Sequence, residues 1–203
     1  MITLVVHHPV RAYDAWKPVF DEHEAVRRSH GEAEHRIYRF RDAPSSVVVH
    51  NDFPSLEEAR GFMSDPSLPE AMERAGVTGT PNLSFLELTS RTVHGDPAAT
   101  ADALVVVHHR VEDAAAWKLV FEASAPELRA QDVLETRVYQ DPGEPNRIVV
   151  HLDLPTDEAA RALAGSDDLR SMLARAGAIG EPSPGVAYLA ERKVYEAAAA
   201  PHA

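Results

Sequence analysis

The sequence predicts an α+β protein made of two similar halves, each with the order β-α-β-β-α-β. Residues 4–93 align with residues 105–194 without a gap, and about a third of the paired positions are identical. The run VVHH at 5–8 returns at 106–109. Valine-rich runs with strand character also alternate with stretches of helical periodicity. Such an offset over about 90 residues indicates an internal repeat of one small domain.

Each element of the first half has its own local signal. The valine-rich run over 2–9 predicts a buried strand. Trp16, Phe20 and His23 fall on one helical face. Ser55 is a good N-cap, with Glu58 three residues later. The predicted strands are 2–9, 34–40, 47–53 and 83–93, and the predicted helices are 12–29 and 55–75, the second interrupted at Asp65-Pro66.

The second half repeats this order. Its predicted strands are 104–110, 133–140, 147–154 and 186–195, and its predicted helices are 113–130 and 156–176. The predicted domain boundaries are repeat 1 over 1–93, a linker over 94–103, repeat 2 over 104–196 and a flexible tail over 197–203. The linker contains Gly, Pro and Ala, which favour an irregular connection.

Composition limits the classes of partner. The formal net charge is -12 and the sequence shows no basic stripe, so neither nucleic acid nor an anionic membrane is an expected partner. The chain has no cysteine, which removes disulfides and thiol catalysis. No signal peptide and no apolar run long enough to span a bilayer are recognisable. We therefore expect a cytoplasmic location.

The nearly continuous valine of the first and third strands predicts that both sheet faces are buried, most simply by pressing two open faces together. The run that includes His8, Asp14, Trp16 and Phe20, followed by RAGV at 74–77, resembles the dimeric α+β barrel superfamily of ferredoxin-like units. Within it, the chain is similar to the antibiotic biosynthesis monooxygenases. The resemblance implies two ferredoxin-like βαββαβ repeats that form a single-chain dimeric α+β barrel, a pseudo-dimer that could associate further.

Charged and aromatic residues recur on the second strand of each half. Glu34, Arg36 and Tyr38 share one face, while His35 and Ile37 suit the face under the helices. The counterparts in the second half are Glu135, Arg137 and Tyr139. Two interpretations remain open: this face looks into the barrel, or it lies at a sheet edge where its charges are solvated or paired.

Histidines mark the ends of the first and third strands. We expect His8 and His50 to lie close together at one end of the sheet, with His109 and His151 as their copies. Three interpretations compete, namely general acid–base chemistry, metal binding, and a hydrogen-bonded structural histidine. The sequence has no compact ligand cluster that supports a metal.

Two further comparisons concern aromatic residues and the second half. Trp16 and Trp117 are interpreted as core side chains that point to the sheet. Three histidines of the first half have no counterpart, so a loss of activity would fall on the second half. These three are His23, His30 and His35, replaced by Ser124, Gln131 and Thr136.

The resemblance implies an enzyme for cofactor-independent oxygenation of a small phenolic or polyketide-like substrate, with no cofactor and no metal. In that chemistry His8 or His50 would be the base, and Arg36 and Tyr38 would stabilise the developing oxyanion. The alternatives are a polyketide cyclase or isomerase on the same fold, and a non-catalytic ligand-binding or stress-associated protein. Haem bound by an interior histidine is a weaker alternative.

Overall fold

The computed structural model describes residues 1–96 and 100–195, apart from the side chain of Ser183. Contacts between residues divide the chain into two compact units. The first unit is Met1–Phe85 with Ala190–Ala203, and the second unit is Leu86–Leu189. The predicted tail over 197–203 and part of the predicted linker lie outside the described residues. No helix of the described chain is long and apolar enough to cross a membrane.

The first unit has the predicted order of strands and helices. Its elements are β1 Ile2–Pro9, α1 Tyr13–Glu22, α2 Glu24–Ser29, β2 Glu34–Arg39, β3 Ser46–Phe53, α3 Leu56–Met63 and α4 Leu68–Arg74. Antiparallel pairing joins β1 to β3 and β3 to β2. The Ser55 hydroxyl accepts a hydrogen bond from the Glu58 amide at 3.2 Å, as the predicted N-cap requires.

The second unit repeats this order. Its elements are β5 Ala103–Val111, α5 Ala114–Ala123, α6 Ala125–Ala130, β6 Glu135–Asp141, β7 Glu144–Leu154, α7 Asp157–Ala164 and α8 Asp167–Ala176. Antiparallel pairing joins β5 to β7 and β7 to β6, which matches β1, β3 and β2 of the first unit.

Two long strands run through both units. These are β4, Asn82–Val93, and β8, Ala178–Val194. The hydrogen-bonded order of the strands is β1-β3-β2-β8-β5-β7-β6-β4, and it closes on itself. The predicted fold class is therefore confirmed: this is the strand order of an α+β barrel made of two ferredoxin-like repeats.

Two elements differ from the sequence-based expectation. The helix predicted over 12–29 is broken at His23, and its copy is broken at Ser124, because both residues leave helical geometry with ψ near 6°. Strand β8 begins at residue 178 rather than 186, although its first part contains Pro182 and Pro184. A register shift between His108 and Arg110 of β5 accompanies this proline-containing segment.

The two units differ in how their cores are packed. The second unit has one continuous apolar cluster that includes Trp117, Leu152 and Leu173. The first unit has two separate clusters, one around Leu4 and the other around Trp16. A break in the apolar packing of the first unit therefore separates the two clusters.

Candidate functional site

The pairing of β1 with β3 decides which site residues share a face. His8 lies opposite Val47, whereas His50 lies opposite Val5. Because side chains alternate along a strand, His8 and His50 lie on opposite faces of the sheet. The expectation that these two histidines lie close together is therefore wrong. His8 lies near the end of β1, as predicted, but His50 lies in the middle of β3 rather than at its end, and the parity of the register separates the two side chains.

The face that carries His50 holds a compact polar and aromatic cluster. The Tyr38 ring lies 4.7 Å from the His50 ring, centroid to centroid. Arg36 is buried and donates to Asp52 at 2.7 Å. Its guanidinium is also 3.6 Å from Glu34. The predicted common face of Glu34, Arg36 and Tyr38 follows from the β2–β3 register, and the charges on it are paired within the unit.

The second unit reproduces this cluster. Arg137 donates to Asp153 at 2.7 Å, and the rings of Tyr139 and His151 are 4.6 Å apart. A polar cluster that recurs with the same geometry in both units does not distinguish one half from the other.

The opposite face of the first unit borders a cavity. The cavity lies between the β1–β3 pair and helices α1 to α4, and it measures about 530 Å³ including its opening to solvent. Most of its walls are apolar, including Val6, Val49, Phe62, Met63 and Met72. The cavity lies where the first unit's apolar packing is interrupted.

His8 lies in this cavity beside Trp16. The two rings are 5.9 Å apart, and His8 is 4% exposed. Neither ring nitrogen of His8 has a hydrogen-bond partner among the described residues. Burial, assisted by the neighbouring His7, lowers the pKa of His8 to about 4. At neutral pH this histidine is therefore an uncharged imidazole with a free acceptor nitrogen.

Asn51 is a second buried polar group in the cavity wall. It is 2% exposed, and its Nδ2 donates to the Leu4 carbonyl at 3.4 Å, a long hydrogen bond. Its Oδ1 has no hydrogen-bond partner within the described chain. A buried amide oxygen without a partner costs stability, so a ligand donor at this position would be favoured.

Two further polar side chains, Arg27 and His23, border the cavity. Arg27 is 1% exposed, and its Nε donates to Glu32 at 3.0 Å. Its guanidinium also lies 3.6 Å above the Phe20 ring. His23 Nε2 is 2.9 Å from the Ser67 hydroxyl.

The same region of the second unit is filled. Asn51 corresponds to Leu152, Arg27 to Leu128 and Ala71 to Met172, and these three second-unit residues belong to its continuous core. His109 keeps the unpartnered ring nitrogens of His8 and its tryptophan neighbour. The histidine recurs in both units, but the polar cavity wall belongs to the first.

Sequence reasoning missed Asn51, Arg27 and Glu32. The signal was available in the comparison of halves, because each is a polar residue whose partner at the 101-residue offset is apolar. Trp16 and Trp117 are buried against the sheet, which confirms that they are core side chains. In the part of the chain that the structure describes, no group of three or more potential metal ligands is brought together.

Solved structures with this fold include several related to oxygenases. The chain is similar to an anthrone oxidase-like protein, with TM-score 0.64 and 14% identity over 95% of this chain and 92% of that one. It is similar to a ferredoxin-fold protein related to antibiotic biosynthesis monooxygenases from Listeria monocytogenes, with TM-score 0.55 and 4% identity over 94% and 95%.

A haem-degrading enzyme from Listeria monocytogenes also shares the fold, with TM-score 0.54 and 4% identity over 93% of this chain and 99% of that one. No protein-family profile and no curated relative matches the sequence. At these identities the similarity establishes only that the chain has the fold of antibiotic biosynthesis monooxygenase-like proteins. Any reaction must be argued from the residues of the site.

Proposed function

We propose that the first unit binds a small, mostly apolar, phenolic or polyketide-like molecule in its cavity and catalyses its cofactor-independent oxygenation. The observation that carries the proposal is the apolar cavity with two buried polar groups, His8 and Asn51, whose ring nitrogens and Oδ1 have no partners within the described chain. Pockets of this kind bind apolar ligands and orient them through a few polar contacts.

In the proposed reaction, His8 accepts a proton from an activated C–H or phenolic O–H of the substrate. The substrate anion passes an electron to dioxygen, and the two radicals combine to form a C–O bond. The resulting peroxide anion takes the proton back from His8, and the hydroperoxide then loses water, so that one oxygen atom enters the product as a ketone and the other leaves as water. Asn51 orients the oxygenated end of the substrate by hydrogen bonding.

The low pKa of His8 is compatible with this role. Burial holds the empty site uncharged, with a pKa of about 4. A substrate anion beside the ring would raise that pKa by favouring the imidazolium. Arg36, Tyr38 and His50 lie on the other sheet face and make no contact with a substrate held at His8, so we give them no part in this step.

We further propose that the chain arose by duplication and that the second unit has become a structural partner. Its matching region is occupied by Leu128, Leu152 and Met172. The chain would then bind one ligand rather than two.

The alternatives use the same cavity. A cyclase or isomerase would need the base but no dioxygen, and a binding protein would need neither. The haem-degrading enzyme that shares this fold suggests haem as a further ligand to test. Purified protein with a Soret band at one haem per chain would support that alternative and contradict the cofactor-free proposal.

The decisive experiment is oxygen uptake with anthrone, because an anthrone oxidase-like protein shares this fold. We expect uptake above the rate without protein, and a loss of about 10²–10⁴-fold in His8→Asn. His109→Asn is the matched control, because His109 is likewise buried beside a tryptophan but has no polar cavity wall around it. Equal losses in both variants, or ligand binding without oxygen uptake, would contradict the proposed reaction.

A further inference from the structure

A buried polar network lies beneath α1 in the first unit. His35 is fully buried, and its Nε2 is 2.9 Å from Glu191 Oε1. Its Nδ1 is 3.0 Å from the Tyr195 hydroxyl. Glu191 also forms an ion pair with Lys17, with Nζ 2.8 Å from Oε2. Residues at the C-terminal end of the described chain therefore meet a histidine of β2.

The protonation states in this network follow from its chemistry. Burial opposes the ionisation of Glu191, but hydrogen bonds from His35 and Lys17 outweigh it and lower the pKa of Glu191. An ionised carboxylate only accepts, so His35 Nε2 carries the proton. On the other side of the ring the Tyr195 hydroxyl lies 3.0 Å from Nδ1, and burial raises the pKa of Tyr195.

The network touches two side chains that line the cavity. The Phe20 ring meets the His35 ring edge-on at 5.1 Å. Phe20 also stacks on Trp16 at 4.8 Å. Arg27, which also borders the cavity, lies 3.6 Å over the Phe20 ring and interacts with Tyr195.

We propose that Glu191, His35 and Tyr195 are positioning residues that fix Phe20 and Arg27 in the cavity wall. The C-terminal end of the chain thereby sets the ligand affinity of the N-terminal unit. This inference rests on the proposed function for its ligand, but the position of the wall can be measured without one.

The second unit supplies a matched comparison. Its residues at the positions of His35 and Tyr195 are Thr136 and His94, joined by a hydrogen bond of 2.6 Å. The counterpart of Arg27 in the second unit is Leu128, so the Thr136–His94 pair has no arginine at the position of Arg27. Thr136→Val removes that hydrogen bond and serves as the control.

The first arm of the test needs no ligand. The full chain labelled with 5-fluorotryptophan gives two fluorine resonances, one for each tryptophan, assigned with Trp16→Phe. We expect Tyr195→Phe and His35→Thr to move the Trp16 resonance and to leave that of Trp117. Thr136→Val should leave Trp16 unchanged. A Trp16 resonance that stays in place in both network variants overturns the positioning role.

The second arm measures the binding of 1-naphthol by calorimetry. We expect Tyr195→Phe to weaken binding roughly twofold to tenfold, the effect of one lost hydrogen bond. Glu191→Gln keeps an acceptor for His35 and should bind more tightly than Glu191→Ala.

A lower unfolding temperature with unchanged Kd in Tyr195→Phe and Glu191→Ala would reduce the network to a structural role and overturn the inference. Failure of the unsubstituted protein to bind 1-naphthol would count against the phenol pocket of the proposed function. The fluorine measurement would still decide the positioning role.

Discussion

Asn51 and Leu152 show at the scale of single residues how the two units differ. They occupy the same register position, next to the repeated sequence VVH. Leu152 joins the continuous core of its unit, whereas Asn51 leaves an amide oxygen without a partner in the described chain beside the cavity. Burying such a group costs roughly 1–3 kcal/mol, so a ligand contact offers a physical reason for its presence.

His8 and His109 lead to a prediction about pH. Burial lowers the pKa of each to about 4, whereas an unfolded histidine titrates near 6.5. The unfolded chain therefore binds more protons between these values, and stability falls as pH drops from 6.5 towards 4. We expect each histidine to account for a loss on the order of 2–3 kcal/mol between pH 7 and 4.5.

Urea unfolding at the two pH values checks this. The doubly substituted His8→Asn, His109→Asn chain should lose less stability on acidification than the unsubstituted chain. His7→Asn is the control, because His7 is exposed and contributes less than burial does to the lowered pKa of His8. The same pH dependence in the double variant and the unsubstituted chain would show that other groups titrate.

At the scale of elements, short helices joined by polar contacts frame the cavity. His23 bonds Ser67, and His30 Nε2 lies 2.9 Å from Asp65. Hydrogen bonds from Ser67 and His30 lower the pKa of Asp65, so this carboxylate stays charged. These contacts join both ends of α2 to the α3–α4 junction, which places Phe62 in the cavity wall.

The cap of α3 gives a prediction at this scale. Ser55→Ala removes the side-chain acceptor of the Glu58 amide, so we expect a loss of about 1 kcal/mol in the free energy of unfolding. Ser64→Ala at the exposed end of the same helix should stay within about 0.5 kcal/mol. Chemical denaturation of both variants provides the measurement, and equal effects would contradict the capping role.

At the scale of the molecule, the compact units do not coincide with the sequence repeats. Residues 86–93 of repeat 1 belong to the second unit, and Ala190–Tyr195 of repeat 2 belong to the first. The first unit therefore obtains Glu191 and Tyr195 from the far end of the chain. Each unit contains the end of a strand that begins in the other.

Shortening the chain tests this exchange. A chain that ends at Leu189 loses Glu191 and Tyr195, the two hydrogen-bond partners of His35, and the Arg192–Glu34 ion pair of 2.8 Å. Because His35 is fully buried, we expect a clear fall in unfolding temperature and weaker binding of 1-naphthol. A chain that ends at Tyr195 keeps every described contact and should match the full chain. Equal behaviour of both shortened chains would contradict the role of this segment.

The sequence alone determined the repeat, the order of the elements and the common face of Glu34, Arg36 and Tyr38. These features can be read directly from the order of residues, namely from the 101-residue offset, the alternation of side chains along strands and the helix caps. It did not predict the breaks at His23 and Ser124, because helical periodicity continues across them.

Only the tertiary structure decided which of these residues meet. Strand register placed His8 and His50 on opposite faces, and a shift of one residue would have reversed that result. Pairing across more than 150 residues brought Glu191 and Tyr195 to His35. Such contacts depend on the packing of distant segments, so no local pattern encodes them. The cavity has the same origin. It lies where the helices and the sheet of the first unit leave a space, whereas the corresponding region of the second unit is filled by that unit's own core side chains.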